Sequence, residues 1–183
     1  MPIQTPICDF GQKAHDFKLK STENRIISLE DVRGKNGTLI MFICNHCPYV
    51  KAIIKDLVED INDLKKNGIQ TVAIMSNDTK NYPEDSFENM LAFSNKNNFS
   101  FPYLLDETQE TAKKYGAVCT PDFFGYNKDL KLQYRGRFRE LKELTQVKQG
   151  ESDLKSAMKL ISETQNGPKE QIPSMGCNIK WIK

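Results

Sequence analysis

Two cysteines three positions apart, Cys44 and Cys47, enclose Asn45 and His46 and are followed directly by Pro48. A thiol pair at this spacing can alternate between dithiol and disulfide, because one thiolate attacks a substrate disulfide and the second displaces the product. The same two thiols could instead form half of a zinc site, or pack as small apolar side chains. Electron exchange, metal binding and packing are therefore the three hypotheses for this segment.

The position of the pair at the start of a predicted helix assigns different roles to the two thiols. A helix N-terminus carries unpaired N–H groups and a partial positive charge, so a thiolate at Cys44 should be stabilised and its pKa lowered. We therefore predict that Cys44 attacks and Cys47 resolves. His46, if it is protonated or donates a hydrogen bond, should make the pair a stronger oxidant; an ordinary exposed loop histidine is the alternative.

The other cysteines and the second histidine are scattered along the sequence. Zinc needs four ligands, usually including a second close pair, and the chain offers only Cys8, Cys119, Cys177 and His15. We therefore expect neither a metal nor another cofactor. Cys119 is predicted to be a buried, inert thiol. Cys177 could act as an extra resolving thiol, although packing as a small apolar side chain is the favoured interpretation.

Hydrophobic periodicity predicts the elements that must position the cysteine pair. Residues 38–43 form a continuous β-favouring apolar run that ends at Cys44, and apolar residues then recur at helical spacing over 48–68. The pattern further predicts strands at 69–76, 101–106, 122–127 and 130–138, and helices at 83–98 (opening with Pro83), 108–116 (capped by Thr108) and 152–167. Residues 17–37 are typical of a small hairpin, and 168–183 shows no clear period. This order predicts an α/β fold with a mixed sheet, and thiols beyond the carboxyl end of a strand.

Composition and charge exclude several classes of protein. The 183 residues are 38% hydrophobic and 27% charged with a formal net charge of +2, which is typical of a soluble globular protein. This length favours one domain over 1–183, with 165–183 as a C-terminal extension. No signal-like segment or long apolar run occurs, so we expect a cytoplasmic protein without membrane contact. A basic cluster is interpreted as a solvated strand face rather than a nucleic-acid site; its members are Lys131, Arg135, Arg137, Arg139 and Lys142.

Three features together resemble the thioredoxin superfamily: the strand TLIMFI, the cysteine pair after it, and Thr120-Pro121 within KKYGAVCTPDFFGYN. The longer arrangement over about 14–164 is similar to the AhpC/TSA and redoxin branch, which includes peroxiredoxins and TlpA-like thiol-disulfide oxidoreductases. The resemblance implies a three-layer α/β/α fold with a central mixed sheet and a C-terminal tail. It also implies a cis peptide at Pro121 that faces the cysteine pair.

The resemblance implies a thiol-disulfide oxidoreductase that acts on protein or small-molecule disulfides and is reduced by a thioredoxin or glutathione system. A thiol-dependent peroxidase acting on hydroperoxides is one alternative, and a non-enzymatic redox-sensing or binding module is another. The expected catalytic residues are Cys44, Cys47, His46 and Pro121, and the expected substrate contacts are Thr120 and Asn45.

The sequence also departs from its resemblances. Ile43 stands where thioredoxins commonly have a tryptophan, and the peroxiredoxin stretch P-x-x-x-T-x-x-C is missing around the cysteines. Thr38 occupies the position that corresponds to the buried acid of thioredoxin. Proton handling must then use another group, and the candidates are Asp122, Lys51 and His46.

Overall fold

The structure, a computed structural model, describes residues 2–183, and the helices and strands within them follow the predicted alternation. The strands are β1 (Pro2–Gln4), β2 (Lys18–Ser21), β3 (Ile26–Ser28), β4 (Gly37–Phe42), β5 (Ile69–Met75), β6 (Tyr103–Leu105), β7 (Cys119–Thr120), β8 (Asp122–Asn127), β9 (Leu132–Tyr134), β10 (Leu141–Lys142), β11 (Thr145–Gln146) and β12 (Met175–Asn178). The α-helices are α1 (Pro48–Lys51), α2 (Ile54–Lys65), α3 (Phe87–Lys96), α4 (Glu110–Tyr115) and α5 (Asp153–Thr164), and short 3-10 turns cover Glu30–Val32 and Pro83–Asp85.

The main sheet contains seven strands in the order β3-β2-β6-β5-β4-β8-β9. Strand β5 pairs in parallel with β4 on one side and with β6 on the other. All other neighbouring strands of this sheet are antiparallel, so the sheet is mixed. Successive residues of β4 point to opposite faces: Leu39 and Met41 pack with α2 and α5, whereas Ile40 and Phe42 pack with α4. Apolar cores on both faces produce the predicted three-layer α/β/α arrangement.

The helix after the cysteine pair is divided. Helix α1 ends at Lys51 and α2 begins at Ile54, because Ile53 adopts φ −120°, far from helical geometry. The apolar face predicted for a single helix is nevertheless retained, and Val50 and Leu57 are both fully buried. The break therefore leaves α1 as a short turn that carries the second cysteine at its start.

Two helix starts differ from the prediction. Pro83 begins a 3-10 turn, and the cap of α3 is Ser86, whose hydroxyl accepts the N–H of Asn89. This satisfies a backbone N–H that would otherwise lack a partner at the helix start. At α4 the residue immediately before the helix is Gln109, with φ 68°, rather than Thr108.

The C-terminal segment contains a strand that periodicity did not indicate. Strand β12 lies between β1 and β7, and Cys177 is opposite Thr120 in the β12–β7 register. A Cβ added at Gly176 would lie 2.0 Å from the carbonyl oxygen of Thr120, so only glycine permits this approach. The tail is therefore packed directly against the loop that precedes Pro121.

The basic cluster is not a uniformly solvated face. Lys131 and Lys142 are exposed, but Arg135 is 8% exposed, so the prediction for this residue is wrong. The guanidinium of Arg135 donates two hydrogen bonds to Asp122, at 3.2 and 2.9 Å, and lies 4.4 Å from the ring centroid of Phe124. Pairing with the buried carboxylate of Asp122 thus explains why Arg135 is buried. Among residues 2–183 no helix has the length and apolarity needed to span a bilayer.

Candidate redox site

The two cysteines lie in the loop between β4 and α1, at the carboxyl end of a central strand. Cys44 follows β4 after one residue, and Cys47 is the N-cap of α1 with Pro48 at the first helical position. Both are buried, at 1% and 0% exposure, and both are free thiols. The sequence therefore predicted the location of the pair and the helix start at Pro48, and the structure adds that the capping residue is Cys47 rather than Cys44.

Thr120 contacts both sulfurs from the neighbouring loop. Its hydroxyl lies 3.5 Å from Cys44 Sγ, and its carbonyl oxygen lies 3.2 Å from Cys47 Sγ, close enough to accept a hydrogen bond whenever Cys47 is protonated. The peptide bond that follows, between Thr120 and Pro121, is cis. Both sulfurs therefore lie against Thr120, the residue that precedes Pro121, as the resemblance implied.

The acidities of the two thiols are the reverse of the expected order. The hydrogen bond to Cys47, burial and the charge of Asp85 together raise the pKa of Cys44 well above its usual value. The hydrogen bond from Cys44, reinforced by donors on Thr120 and Cys177, lowers the pKa of Cys47 to about 4 against the opposing effect of burial. The predicted low pKa of Cys44 is therefore wrong, because the interaction between the two thiols favours the negative charge on Cys47, and burial and Asp85 further disfavour it on Cys44.

Asp85 is the residue of this site that sequence reasoning missed. Its fully buried carboxylate accepts the backbone N–H of Asn45 and the side-chain amide of Asn77, both at 2.9 Å. His46 Nδ1 lies 2.7 Å from Asp85 Oδ2. The two atoms are in ion-pair contact, but their orientation is not that of a hydrogen bond. No spacing pattern in the sequence indicates Asp85, which is 40 positions from Asn45 and reaches the site through the Pro83–Asp85 turn.

Asn45 is held by hydrogen bonds to its backbone N–H and to both ends of its side-chain amide. Besides the contact of its N–H with Asp85, its side-chain amide donates to the carbonyl of Glu84 at 3.1 Å. Its side-chain oxygen accepts the hydroxyl of buried Tyr103 at 2.7 Å. These bonds fix the backbone between the two cysteines.

Three potential metal ligands come together here. One ligand atom each from Cys44, His46 and Asp85 lies within 4.8 Å of the other two. Two ligands of a tetrahedral zinc ion with bonds of about 2.0 Å lie roughly 3.3 Å apart, which is wider than the 2.7 Å between His46 and Asp85. Both carboxylate oxygens also already accept amide donors. The arrangement fits a thiol beside a histidine–carboxylate pair better than it fits an ion.

The remaining candidates lie apart from this arrangement. Cys119 is buried, and burial raises its pKa, which agrees with an inert thiol. Burial also raises the pKa of Cys8 to about 11. His15 packs edge-on against Tyr115. Lys51 is exposed at the end of α1, and Asp122 is bound to Arg135, so neither competes with His46 as the proton-handling group nearest Cys44.

A small cavity of about 170 Å³ opens beside Pro121. Its lining includes Tyr49, Ile53, Phe138, Ile172 and Met175. A cavity of this size and apolar character accommodates one side chain rather than a large ligand.

This arrangement of sheet, thiol loop and cis-proline loop is that of the thioredoxin-like fold class. A secreted disulfide oxidoreductase of Mycobacterium tuberculosis, homologous to E. coli DsbE, has a similar fold, with a TM-score of 0.55 at 17% identity over 64% of this chain and 80% of that chain. Within this class, the sequence model of the AhpC/TSA family matches residues 10–136. The chain belongs to the AhpC/TSA family.

Relatives and solved structures agree with this family. The chain is 26% identical to "Putative peroxiredoxin bcp" of Coxiella burnetii over 64% of this chain and 72% of the relative. It is 24% identical to the thiol-disulfide oxidoreductase ResA of Bacillus thuringiensis over 74% and 73%. An uncharacterized conserved protein from Geobacillus kaustophilus is 40% identical, with a TM-score of 0.91 over 100% of this chain and 97% of that chain. A hypothetical protein from Sinorhizobium meliloti is 34% identical, with a TM-score of 0.89 over 98% and 97%.

Proposed function

We propose that the protein is a thiol-disulfide oxidoreductase in which Cys44 attacks and Cys47 resolves. The observation that carries this proposal is that Cys44 Sγ and Cys47 Sγ both lie against Thr120 beside Pro121, at 3.5 Å from its hydroxyl and 3.2 Å from its carbonyl oxygen. Two thiols in contact can close a disulfide after one of them has formed a mixed disulfide with a substrate. Membership of a family that includes thiol-disulfide oxidoreductases supports the same chemistry.

The first proposed step is activation of Cys44. Its raised pKa keeps it protonated at neutral pH, so attack requires a base within reach. His46 is that base: its imidazole takes the thiol proton, and Asp85 orients the ring and faces the resulting positive charge. The Cys44 thiolate then attacks one sulfur of the substrate disulfide, which forms a mixed disulfide and releases the other substrate sulfur as a thiolate.

The second step is resolution by Cys47. Its low pKa leaves it as a thiolate, which attacks Cys44 Sγ and closes the Cys44–Cys47 disulfide. The second substrate sulfur leaves as a thiolate, and the two substrate thiolates take up protons from His46 and solvent. The substrate disulfide is thereby reduced by two electrons and the protein dithiol is oxidised by two.

Neighbouring residues have proposed positioning or binding roles. Thr120 and Pro121 contact the substrate next to the sulfurs, with one substrate side chain in the cavity lined by Tyr49 and Met175. Asn45 lies beside the bound substrate in this proposal and keeps the loop in shape through the hydrogen bond from its backbone N–H to Asp85.

We propose that the protein works in the cytoplasm as one domain over 1–183 and is reduced by a thioredoxin or glutathione system. A reducing compartment favours a catalytic rather than a structural role for a close cysteine pair. Activity regenerated by thioredoxin plus its reductase, or by glutathione, identifies the donor.

The test of the assignment is trapping of the mixed disulfide. Cys47→Ser should accumulate a covalent adduct at Cys44 with a disulfide-containing protein such as insulin, whereas Cys44→Ser should not. Both variants should lose insulin reduction in the presence of dithiothreitol, and Cys8→Ser serves as the control that retains it. Adducts at Cys47 in Cys44→Ser, with none at Cys44 in Cys47→Ser, would reverse the two roles.

A thiol-dependent peroxidase is the second candidate, because the Coxiella burnetii relative carries a peroxiredoxin name. In that reaction the Cys44 thiolate takes one oxygen from a hydroperoxide, which leaves as the alcohol, and Cys47 then displaces water from the Cys44 sulfenic acid. Consumption of cumene hydroperoxide with dithiothreitol as reductant distinguishes the two reactions. A peroxide rate far above the insulin rate would favour the peroxidase.

A further inference from the structure

Cys177 lies against the redox site although it is 130 positions from Cys47 in the sequence. Its strand, β12, pairs with β7 so that Cys177 is opposite Thr120, whose carbonyl oxygen lies 3.2 Å from Cys47 Sγ and whose hydroxyl lies 3.5 Å from Cys44 Sγ. Cys177 also packs against the buried cluster that contains Cys44 and Cys47, and its proximity lowers the pKa of Cys47. Thr120 is therefore next to all three cysteines.

The three sulfurs differ in accessibility. Cys44 and Cys47 are 1% and 0% exposed, whereas Cys177 is partly exposed on the tail strand. Thiol-disulfide exchange requires the incoming thiolate to reach a sulfur along the line of the disulfide bond. Cys177 is the most exposed of the three, so a protein reductant should reach it with less rearrangement of the loop than the buried pair requires.

We propose, on the basis of the proposed function, that Cys177 is a third redox thiol that carries the disulfide from the buried pair to the surface. The Cys177 thiolate attacks Cys47 Sγ of the Cys44–Cys47 disulfide, forms Cys47–Cys177 and releases the Cys44 thiolate. No electrons are gained or lost in this exchange. A dithiol reductant then attacks Cys177 Sγ, releases the Cys47 thiolate, and its second thiol displaces Cys177, so that the reductant leaves as a disulfide.

The local environment supports this direction of transfer. Burial and the neighbouring Cys47 raise the pKa of Cys177 to about 11, so the exchange should accelerate as pH rises toward that value. Lys180 acts in the opposite sense on the Cys177 pKa and is positioned to assist its thiolate. Gly176 fixes the strand at the close approach to Thr120 that brings the sulfurs together.

The first experiment asks whether the Cys47–Cys177 bond forms when Cys44 is removed. Cys44→Ser, and Cys44→Ala as a second variant, are oxidised with one equivalent of diamide, and disulfide-linked peptides are mapped by mass spectrometry. Both should yield Cys47–Cys177 as the main bond, and Cys177→Ser combined with Cys44→Ser should abolish it. Folded variants, judged by circular dichroism, that give no such bond would overturn the proposal. This result does not depend on turnover, so it is separable from failure of the proposed function.

The second experiment measures reduction of the oxidised protein. With reduced thioredoxin as the probe, Cys177→Ser should be reduced about tenfold more slowly than wild type, because the accessible sulfur is lost. Reduction by dithiothreitol should slow less, and Cys8→Ser, which also removes a partly buried thiol, should leave both rates unchanged. Equal thioredoxin rates for wild type and Cys177→Ser, in protein that reduces insulin, would refute the third thiol while leaving the proposed function intact.

Discussion

Asp85 and Asp122 are both fully buried, yet their surroundings differ in kind. Asp122 accepts two hydrogen bonds from the guanidinium of Arg135 and one from the N–H of Val118. Asp85 accepts amide donors only, and its nearest titratable neighbours are His46 and Cys44. One carboxylate is thus matched by a permanent cation, and the other by dipoles and by groups that can exchange a proton.

The difference indicates which buried carboxylate serves stability and which serves chemistry. Burial raises the pKa of Asp122 even with Arg135 beside it. The charge of Asp122 is not among the main causes of the pKa shifts of Cys44 and Cys47. The charge of Asp85, in contrast, contributes directly to the raised pKa of Cys44. Neutralising Asp122 should therefore mainly reduce the free energy of unfolding, whereas neutralising Asp85 should mainly change the reactivity of the thiols.

The largest expected effect is the loss of stability on neutralising Asp122. Asp122→Asn leaves Arg135 buried without its counter-charge, which should cost about 3–5 kcal/mol in the free energy of unfolding. Urea denaturation measures the change. The matched control is Asp63→Asn, which breaks a partly exposed ion pair with Lys155 and should cost no more than about 1 kcal/mol. Equal losses in the two variants would contradict the structural role of Asp122, as would altered thiol reactivity in folded Asp122→Asn.

The next effect is a change of redox behaviour on neutralising Asp85. Asp85→Asn removes the negative charge beside Cys44, so the Cys44 thiolate is stabilised, the reduced form is favoured and the potential becomes less negative. A shift of about 30 mV corresponds to about 1.4 kcal/mol for this two-electron couple. Equilibration with glutathione buffers measures it, and the insulin-reduction rate should fall because His46 loses its positioning partner.

Asp106→Asn provides the control for Asp85→Asn. Asp106 is equally buried but binds Ser76 and the start of α4, away from the thiols. The Asp106→Asn variant should therefore be less stable than wild type, with the redox potential of the cysteine pair unchanged. A more negative potential in Asp85→Asn, or the same shift in both variants, would show that the Asp85 charge does not act on Cys44.

A third effect concerns the pH dependence of the first step. The raised pKa of Cys44 means that its thiolate fraction grows with pH throughout the neutral range. Burial and the charge of Asp85 still raise the pKa of Cys44 when Cys47 is replaced by serine. With His46→Gln in the Cys47→Ser background, adduct formation should therefore rise about tenfold per pH unit, because only hydroxide removes the proton. The protein that retains His46 should be faster at low pH and less steep. Identical profiles with and without His46 would make it an ordinary loop histidine.

The sequence predicted the part of the site that is formed by elements consecutive along the chain. Strand β4, the thiol loop and the following helix are consecutive, and their apolar periodicity is visible in one window. Asp85 and β12 escaped prediction for a different reason. Asp85 arrives through a 3-10 turn, and β12 is a four-residue strand with mixed burial between two shorter strands, so neither has a repeating pattern. Their positions follow from tertiary packing, which also explains the unexpected burial of Arg135.

The smallest expected effect tests whether the hydrogen bonds that hold Asn45, in the loop between the two cysteines, influence the reactivity of the thiols. Tyr103→Phe removes the hydroxyl that donates to Asn45 at 2.7 Å, and Tyr134→Phe removes one that donates to the carbonyl of Arg137 at the same distance. Both tyrosines are buried, so each variant should lose about 1 kcal/mol of stability. Only Tyr103→Phe leaves the loop between the cysteines less constrained, so only it should change the rate at which iodoacetamide labels the two thiols. If Tyr134→Phe changes that rate equally, the effect belongs to general loss of stability, and the bonds around Asn45 do not tune the site.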